Sequence, residues 1–238
     1  MKKRGQLALF VIIAVIVIAL ALLFNFLILP RMRFPKSEAS LIKNYIEGCL
    51  GLKAKEAILL LAKQGGYASL PEEKASFLGE ASVYYPPVPS AEKVESELEK
   101  LIKVDDCFSL QAYKIERKNC SIKARIAEKV LIDFNCPLKI RKGNAMLSFE
   151  KFSFALDAPL SLYLSVSEEI IKNYNDLIKK NEKTGKVFIC STCVDDIGSK
   201  HNVSIRAIHL ENDLWFLISD KNKNFEGHEI IWRFVTKL

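Results

Sequence analysis

Two cysteines separated by two residues, Cys190-Ser191-Thr192-Cys193, form the most reactive grouping in the chain. Such a pair can close as a structural bridge, cycle between dithiol and disulfide, or hold a metal with further ligands. Redox cycling needs one thiolate of lowered pKa, usually at a helix N-terminus. Val194 to Ser199 reads as a poor helix, and no βαβ order surrounds the pair, so redox chemistry is the rival reading. A metal would recruit His201 and His209 as Cys-x2-Cys-x7-His-x7-His, whose last gap exceeds the usual zinc spacing. The expectation is therefore a structural bridge, with no metal and no cofactor. Asp195-Asp196 reads as a turn.

The other four cysteines call for pairing through strands and helices. Ile122, Ala124 and Ile126 alternate with Lys123 and Arg125, and Val130, Ile132 and Phe134 alternate with Leu131, Asp133 and Asn135. This period of two predicts an antiparallel hairpin turning near Glu128. With that centre Cys120 lies opposite Cys136, where Cα atoms stand about 4.5 to 5.5 Å apart. Cys49 and Cys107 then pair by elimination. An even set of six cysteines suits an oxidising compartment. The sequons at Asn119 and Asn202 agree with that, as candidate glycosylation sites. No G-x-S-x-G, P-loop, G-x-G-x-x-G or H-E-x-x-H occurs, so no catalytic set is expected. His209 reads as packed or at a strand rim, and His228 as solvated.

The residues that place this body lie at the start. Leu7 to Leu29 is apolar throughout except Asn25. As a helix it would span roughly 34 Å, against a hydrocarbon core of about 30 Å. A retained transmembrane helix is predicted, since a cleaved signal has a shorter apolar core and a small-residue cleavage site. Of the seven surplus positive charges, Lys2, Lys3, Arg4, Arg31, Arg33 and Lys36 flank this stretch. They suit anionic lipid headgroups and leave a nearly neutral body, which argues against nucleic acid as a partner. The flanks are balanced and do not orient the helix by charge. The cysteines and sequons favour an N-terminus in the cytoplasm and the main domain outside the cell membrane.

Lys3-Arg4-Gly5-Gln6 directly before the apolar helix resembles the leader of archaeal type IV pilin-like proteins. That resemblance implies cleavage between Gly5 and Gln6, with the helix kept in the mature protein. The sequence departs from that class at Phe10, where many members carry Glu. The alternative is an uncleaved anchor with basic residues before it.

Beyond Pro30 and Pro35, Ser37 reads as an N-cap for a helix to Gln64, with Leu41, Ile42, Tyr45, Ile46, Cys49 and Leu50 at spacings of three and four. Gly65-Gly66 ends it. A helix with an early Cys closed by Gln64-Gly65-Gly66-Tyr67 resembles a family of uncharacterised archaeal single-anchor membrane proteins. Their other shared pieces are the Gly-Gln start, Pro89-Ser90 opening a Glu-rich helix, a Cys just after it and a β-rich remainder. The resemblance implies location and architecture, and no activity.

Tyr84 to Pro89 reads as an extended linker, and Ser90 as the cap of a helix to Lys103 with Glu92, Glu95, Glu97 and Glu99 on a solvated face. Strands are expected over Met146–Leu156 and Leu160–Leu164, then a helix capped by Ser165 with Glu168 and running to about Lys183. Val187–Ile189, Val203–Leu210, Leu214–Ser219 and Ile230–Val235 are the remaining predicted strands.

The fold class is thus α+β: an N-terminal transmembrane helix, an amphipathic helix pair, and an antiparallel β-rich domain. The divisions are a basic leader at 1–5, the membrane helix at 6–30, a juxtamembrane helical region at 31–104, and the β-rich domain at 105–238. The expected role is structural or interactive, as a pilin-like subunit or a surface-assembly component. Its partners would be the lipid bilayer and copies of itself or other surface proteins. The rivals are a tethered thiol oxidoreductase using Cys190 and Cys193 and a tethered ligand-binding module.

Overall fold

The computed structural model describes residues 2–24, 34–72, 74–76, 80–82, 88–180, 187–221, 225 and 227–237. Helix α1, Lys2–Leu23, holds most of the apolar stretch and begins before Gly5 and Gln6, which lie within it. The side chains described here, Ile12 to Phe24, are all exposed. Among the described residues no helix is long and apolar enough to cross a membrane. Within the described residues the helical part of the predicted span, Leu7 to Leu23, rises about 26 Å. The remainder of that span, 25–29, lies outside the described residues.

Helix α2, Lys36–Lys63, buries Ile42, Ile46, Leu50, Ala54, Ile58 and Leu61 on one face. Pro35, with φ −54°, occupies the N-cap, and no side chain caps this end. Ser37 therefore sits inside the first turn, one correction to the expected start: proline's locked φ already suits a helix entry. The helix closes at Gln64, and the Gly66 N–H returns to the Leu61 carbonyl at 2.8 Å. Gly66 has φ +93°, and a Cβ there would stand 3.0 Å from the Trp232 ring. The glycine is thus required twice, by backbone and by packing. A short ribbon, β1 (Lys74–Ser76) with β2 (Glu80–Ser82), follows. The linker's Tyr84 to Pro87 lies outside the described residues.

Helix α3, Ala91–Leu101, is capped by Ser90, whose hydroxyl accepts the Lys93 N–H at 3.3 Å. It is followed by a 3-10 turn, Asp105–Phe108. The four-stranded antiparallel sheet comes next: β3 (Lys114–Arg117), β4 (Ser121–Ile126), β5 (Val130–Lys142) and β6 (Ala145–Leu156). β3 and β4 pair with successive halves of β5, and β6 pairs with its other side. In the first hairpin Ile122 faces Phe134, Ala124 faces Ile132 and Ile126 faces Val130. The turn is therefore centred on Glu128.

The glutamates of α3 are not simply a solvated face. Glu99 accepts the Ala124 N–H at 2.9 Å, and Glu95 accepts the Ile126 N–H at 2.6 Å. They cover backbone donors on the open edge of β4, where an unpaired strand would otherwise invite another chain. Glu97 is buried and accepts the Ala68 N–H at 2.9 Å.

Leu160–Leu164 is not a strand. Helix α4 runs Leu160–Lys172, followed by a helical turn α5, Tyr174–Leu177. Leucines 160, 162 and 164 alternate with Ser161 and Tyr163, which mimics period two. The structure instead buries Leu160, Tyr163, Leu164, Ser167 and Ile170, spacings of three and four. Ser167 is accommodated by donating to the Tyr163 carbonyl at 2.8 Å. Ser165 is exposed in mid-helix, so it caps nothing, and the chain turns into β7, Ile178–Lys180, before Lys183. β7 pairs with β8, Val187–Ile189.

Helix α6, Ser191–His201, is the element the residues least announced. The last sheet is antiparallel, in order β11–β10–β9: Val203–Leu210 is β9, Asp213–Asp220 is β10 and Trp232–Lys237 is β11. One continuous apolar cluster includes Leu50 of α2, Leu98 of α3, Phe134 of β5, Tyr163 of α4 and Trp232 of β11. The α2–α3 region and the sheets therefore share a core. At its centre Tyr163 packs on Trp232 with ring centroids 6.3 Å apart.

Candidate functional site

The six cysteines form three pairs at disulfide distance, and no described cysteine is free. Cys49 on α2 joins Cys107 in the 3-10 turn, with Cα atoms 5.5 Å apart. Cys120 joins Cys136 across the first hairpin at 4.2 Å, beside the register shift between Asn135 and Leu138. Cys190 joins Cys193 at 5.3 Å. Cys107 and Cys136 are buried, which suits bridges that hold the core. Cys190 and Cys193 are both half-buried, with Ser191 and Thr192 exposed between them.

The surroundings of Cys190 are built by three elements. β8 delivers it, with the Cys190 N–H donating to the Leu177 carbonyl at the end of α5, at 2.8 Å. Cys190 is then the N-cap of α6, and its Sγ accepts the Cys193 N–H at 3.3 Å. Its carbonyl accepts the Val194 N–H at 3.1 Å, the first bond of the helix. Thr192 Oγ1 lies 3.4 Å from the same Sγ. The positive end of a helix dipole and an aimed N–H both favour a sulfur that carries negative charge. Reduced, Cys190 would be the sulfur so favoured.

Helix α6 forms despite Asp195, Asp196, Gly198 and Ser199, none of them a strong helix former. Three tertiary features hold it. Val194, Ile197 and Gly198 make a buried face. Gly198 lets β9 approach closely: a Cβ there would lie 3.0 Å from the Val203 carbonyl oxygen. Asn202 ends the helix in the left-handed conformation, φ 54°. The expectation of a poor helix is thus corrected, and Asp195-Asp196 are exposed helical residues, not a turn. A Cys immediately before the run was the missed signal, because sulfur served as the cap.

The opposite end of α6 is pinned to α4. Glu169 accepts from Lys200 at 2.8 Å and contacts His201 Nε2 at 2.6 Å. Those hydrogen bonds, His201 first and then Lys200, hold the Glu169 carboxyl below its ordinary range. His201 lies eight residues beyond Cys193, about 12 Å along the helix. His209 is on β9 with Nε2 2.9 Å from the Glu211 carbonyl oxygen. Neither histidine joins the cysteines, and no metal-holding cluster exists among the described residues.

Asn119 is exposed ahead of β4, and Asn202 is exposed at the end of α6. A groove of about 540 Å³ runs over the outer face of β4–β6, lined by Lys123, Arg125, Leu131, Asp133, Ser153 and Ala155 among others. It lies on the sheet surface, where the Asp133 carboxylate accepts from the Ser153 hydroxyl at 2.7 Å and pairs with Lys151 at 3.0 Å. Comparison of the chain with family models, with curated proteins and with solved structures finds no match.

Proposed function

We propose that this chain is a membrane-tethered extracytoplasmic protein whose folded head carries out thiol–disulfide exchange at Cys190 and Cys193. One observation carries the chemistry: the pair opens α6, with the Cys193 N–H on the Cys190 sulfur. The tether reading is supported by the apolar run from Leu7 to Leu29 and by the exposure of every described side chain from Ile12 to Phe24. Three cysteine pairs at disulfide distance support an oxidising compartment.

In the reducing direction the Cys190 thiolate attacks one sulfur of a substrate disulfide. A mixed disulfide forms and one substrate thiolate leaves. Cys193 then attacks Cys190 Sγ, closes the 190–193 bridge and expels the second substrate thiolate, which takes the Cys193 proton. Protein dithiol and substrate disulfide become protein disulfide and substrate dithiol, and the reverse oxidises a substrate dithiol. The test is the alkylation rate of Cys190 against pH in the full chain with only the 190–193 bridge reduced. An apparent pKa near or below 7 is expected. A value above 8 would reduce the pair to a third structural bridge.

A second reading, a subunit of a pilin-like or other surface assembly, is favoured by a different feature. Leu41, Tyr45 and Leu52 of α2 are exposed at 69%, 50% and 59%, and their spacing of four and seven places them on one helical stripe. Cross-linking in native membranes through Tyr45→Cys would report an assembly, and intact mass would report cleavage after Gly5. A monomer carrying an uncleaved Met1 would sink this reading.

A further inference from the structure

Cationic side chains gather at one end of the β3–β6 sheet. Lys114, Arg141 and Met146 are register partners across β3, β5 and β6, so their side chains share one face. Ile115, Ile140 and Leu147, one step along, turn to the core on the other face. Lys114, Arg141 and Met146 are all exposed, Met146 at 51%. Lys142 follows at the hairpin tip and bonds Glu38 in the first turn of α2. Glu38 also accepts the Tyr113 hydroxyl at 2.6 Å, and the Phe34 ring lies 6.2 Å from that of Tyr113. The hairpin tip is thus fastened to the place where the chain arrives from its apolar stretch. Only five residue steps separate Leu29 from Phe34, a reach of at most about 18 Å.

The charge balance of this end is positive. Its cations are Lys36, Lys114, Arg141 and Lys142. The acids facing them are Glu38, on Lys142, and Glu116, 3.5 Å from Arg141. An apolar side chain in a basic surface, held within a few residues of a bilayer, matches an interface of anionic headgroups over acyl chains.

We propose that this end of the sheet, with Lys114 and Arg141 beside Met146, docks the folded head onto an anionic bilayer surface. The docking rests on the membrane tether proposed above. It fixes the head's orientation, which attachment at a single point would leave free to rotate.

The test uses the full chain in nanodiscs with brominated acyl chains, anionic or zwitterionic. Met146→Trp reports the docked face. Leu131→Trp, ten residues back along β5 and about 33 Å away, reports the far end. The unsubstituted chain supplies the background of Trp215 and Trp232. The expected result is at least about a twofold loss of Met146→Trp emission in anionic discs, with little change at Leu131→Trp. Lys114→Glu with Arg141→Glu, or high salt, should abolish the difference. Equal quenching at both positions, or equal quenching in zwitterionic discs, would overturn the docking. A chain that does not enter nanodiscs refutes the tether itself, whereas one that enters without quenching refutes only the docking.

Discussion

Glu97 on α3 accepts the backbone N–H of Ala68 across 29 residues of chain, at 2.9 Å. Burial by itself would raise this carboxyl. Hydrogen bonds from Lys100, Ala68 and Lys93 outweigh burial and hold it at about 2. The carboxylate thereby fastens the segment after α2 to α3. A depressed folded pKa means that the stabilisation is fully present above about 4.5 and is lost as pH falls toward 2. Its size is roughly 2 to 3 kcal/mol. Urea titrations from pH 7 to pH 2 should show this acid limb. Glu97→Gln should flatten it, and Glu97→Ala should cost about 2 to 3 kcal/mol at pH 7 by orphaning the Ala68 N–H.

The three cysteine pairs should separate by stability. Sequence separations of 58, 16 and 3 predict, from loop closure alone, losses of about 4, 3 and under 2 kcal/mol on double Ser substitution. Thermal melts of Cys49→Ser/Cys107→Ser, Cys120→Ser/Cys136→Ser and Cys190→Ser/Cys193→Ser should follow that order. A pair kept for exchange chemistry should be the one whose removal leaves the fold nearly intact while abolishing disulfide reduction. If the 190–193 variant melts as low as the 49–107 variant, the bridge is structural.

Removing the acceptors on the β4 edge should loosen that edge without unfolding the protein. Glu95→Ala and Glu99→Ala are each expected to cost about 1 kcal/mol. Amide exchange at Ile126 should accelerate in the first variant and at Ala124 in the second, one site at a time. Unchanged exchange at both would mean that other groups protect the edge. The double variant should self-associate at lower concentration than either single one, as an uncovered strand would.

Gly66→Ala should be among the most damaging single-atom-scale changes in the chain. It places a Cβ at φ +93° and 3.0 Å from the Trp232 ring. Backbone strain and overpacking together should cost about 2 to 4 kcal/mol. A red shift of tryptophan emission would accompany the loss if Trp232 is displaced. Gly143→Ala shares the positive φ but has open space around it, so its cost should stay near 1 kcal/mol.

Patterns that act over a few residues were legible in advance. The alternation around Glu128 specified a hairpin and its register, because a slip of one residue would turn Ile122, Ile132 and Phe134 out of the core. Ser90 and Gly65-Gly66 marked helix ends through bonds made within a turn of chain. Composition alone carries the apolar start and the near-neutral body. Packing decided what local pattern left open. Leu160–Leu164 alternates like a strand yet becomes helix, since Tyr163 must reach Trp232 and the Ile230 carbonyl. Val194–Ser199 is weak as an isolated helix, but a buried face against β9 and the clasp of Glu169 on its last turn stabilise it. The glutamates of α3 look like a wet surface until β4 is brought beside them. In each case one deciding partner lies 25 residues or more away in the chain, so its energy is invisible until the chain has folded.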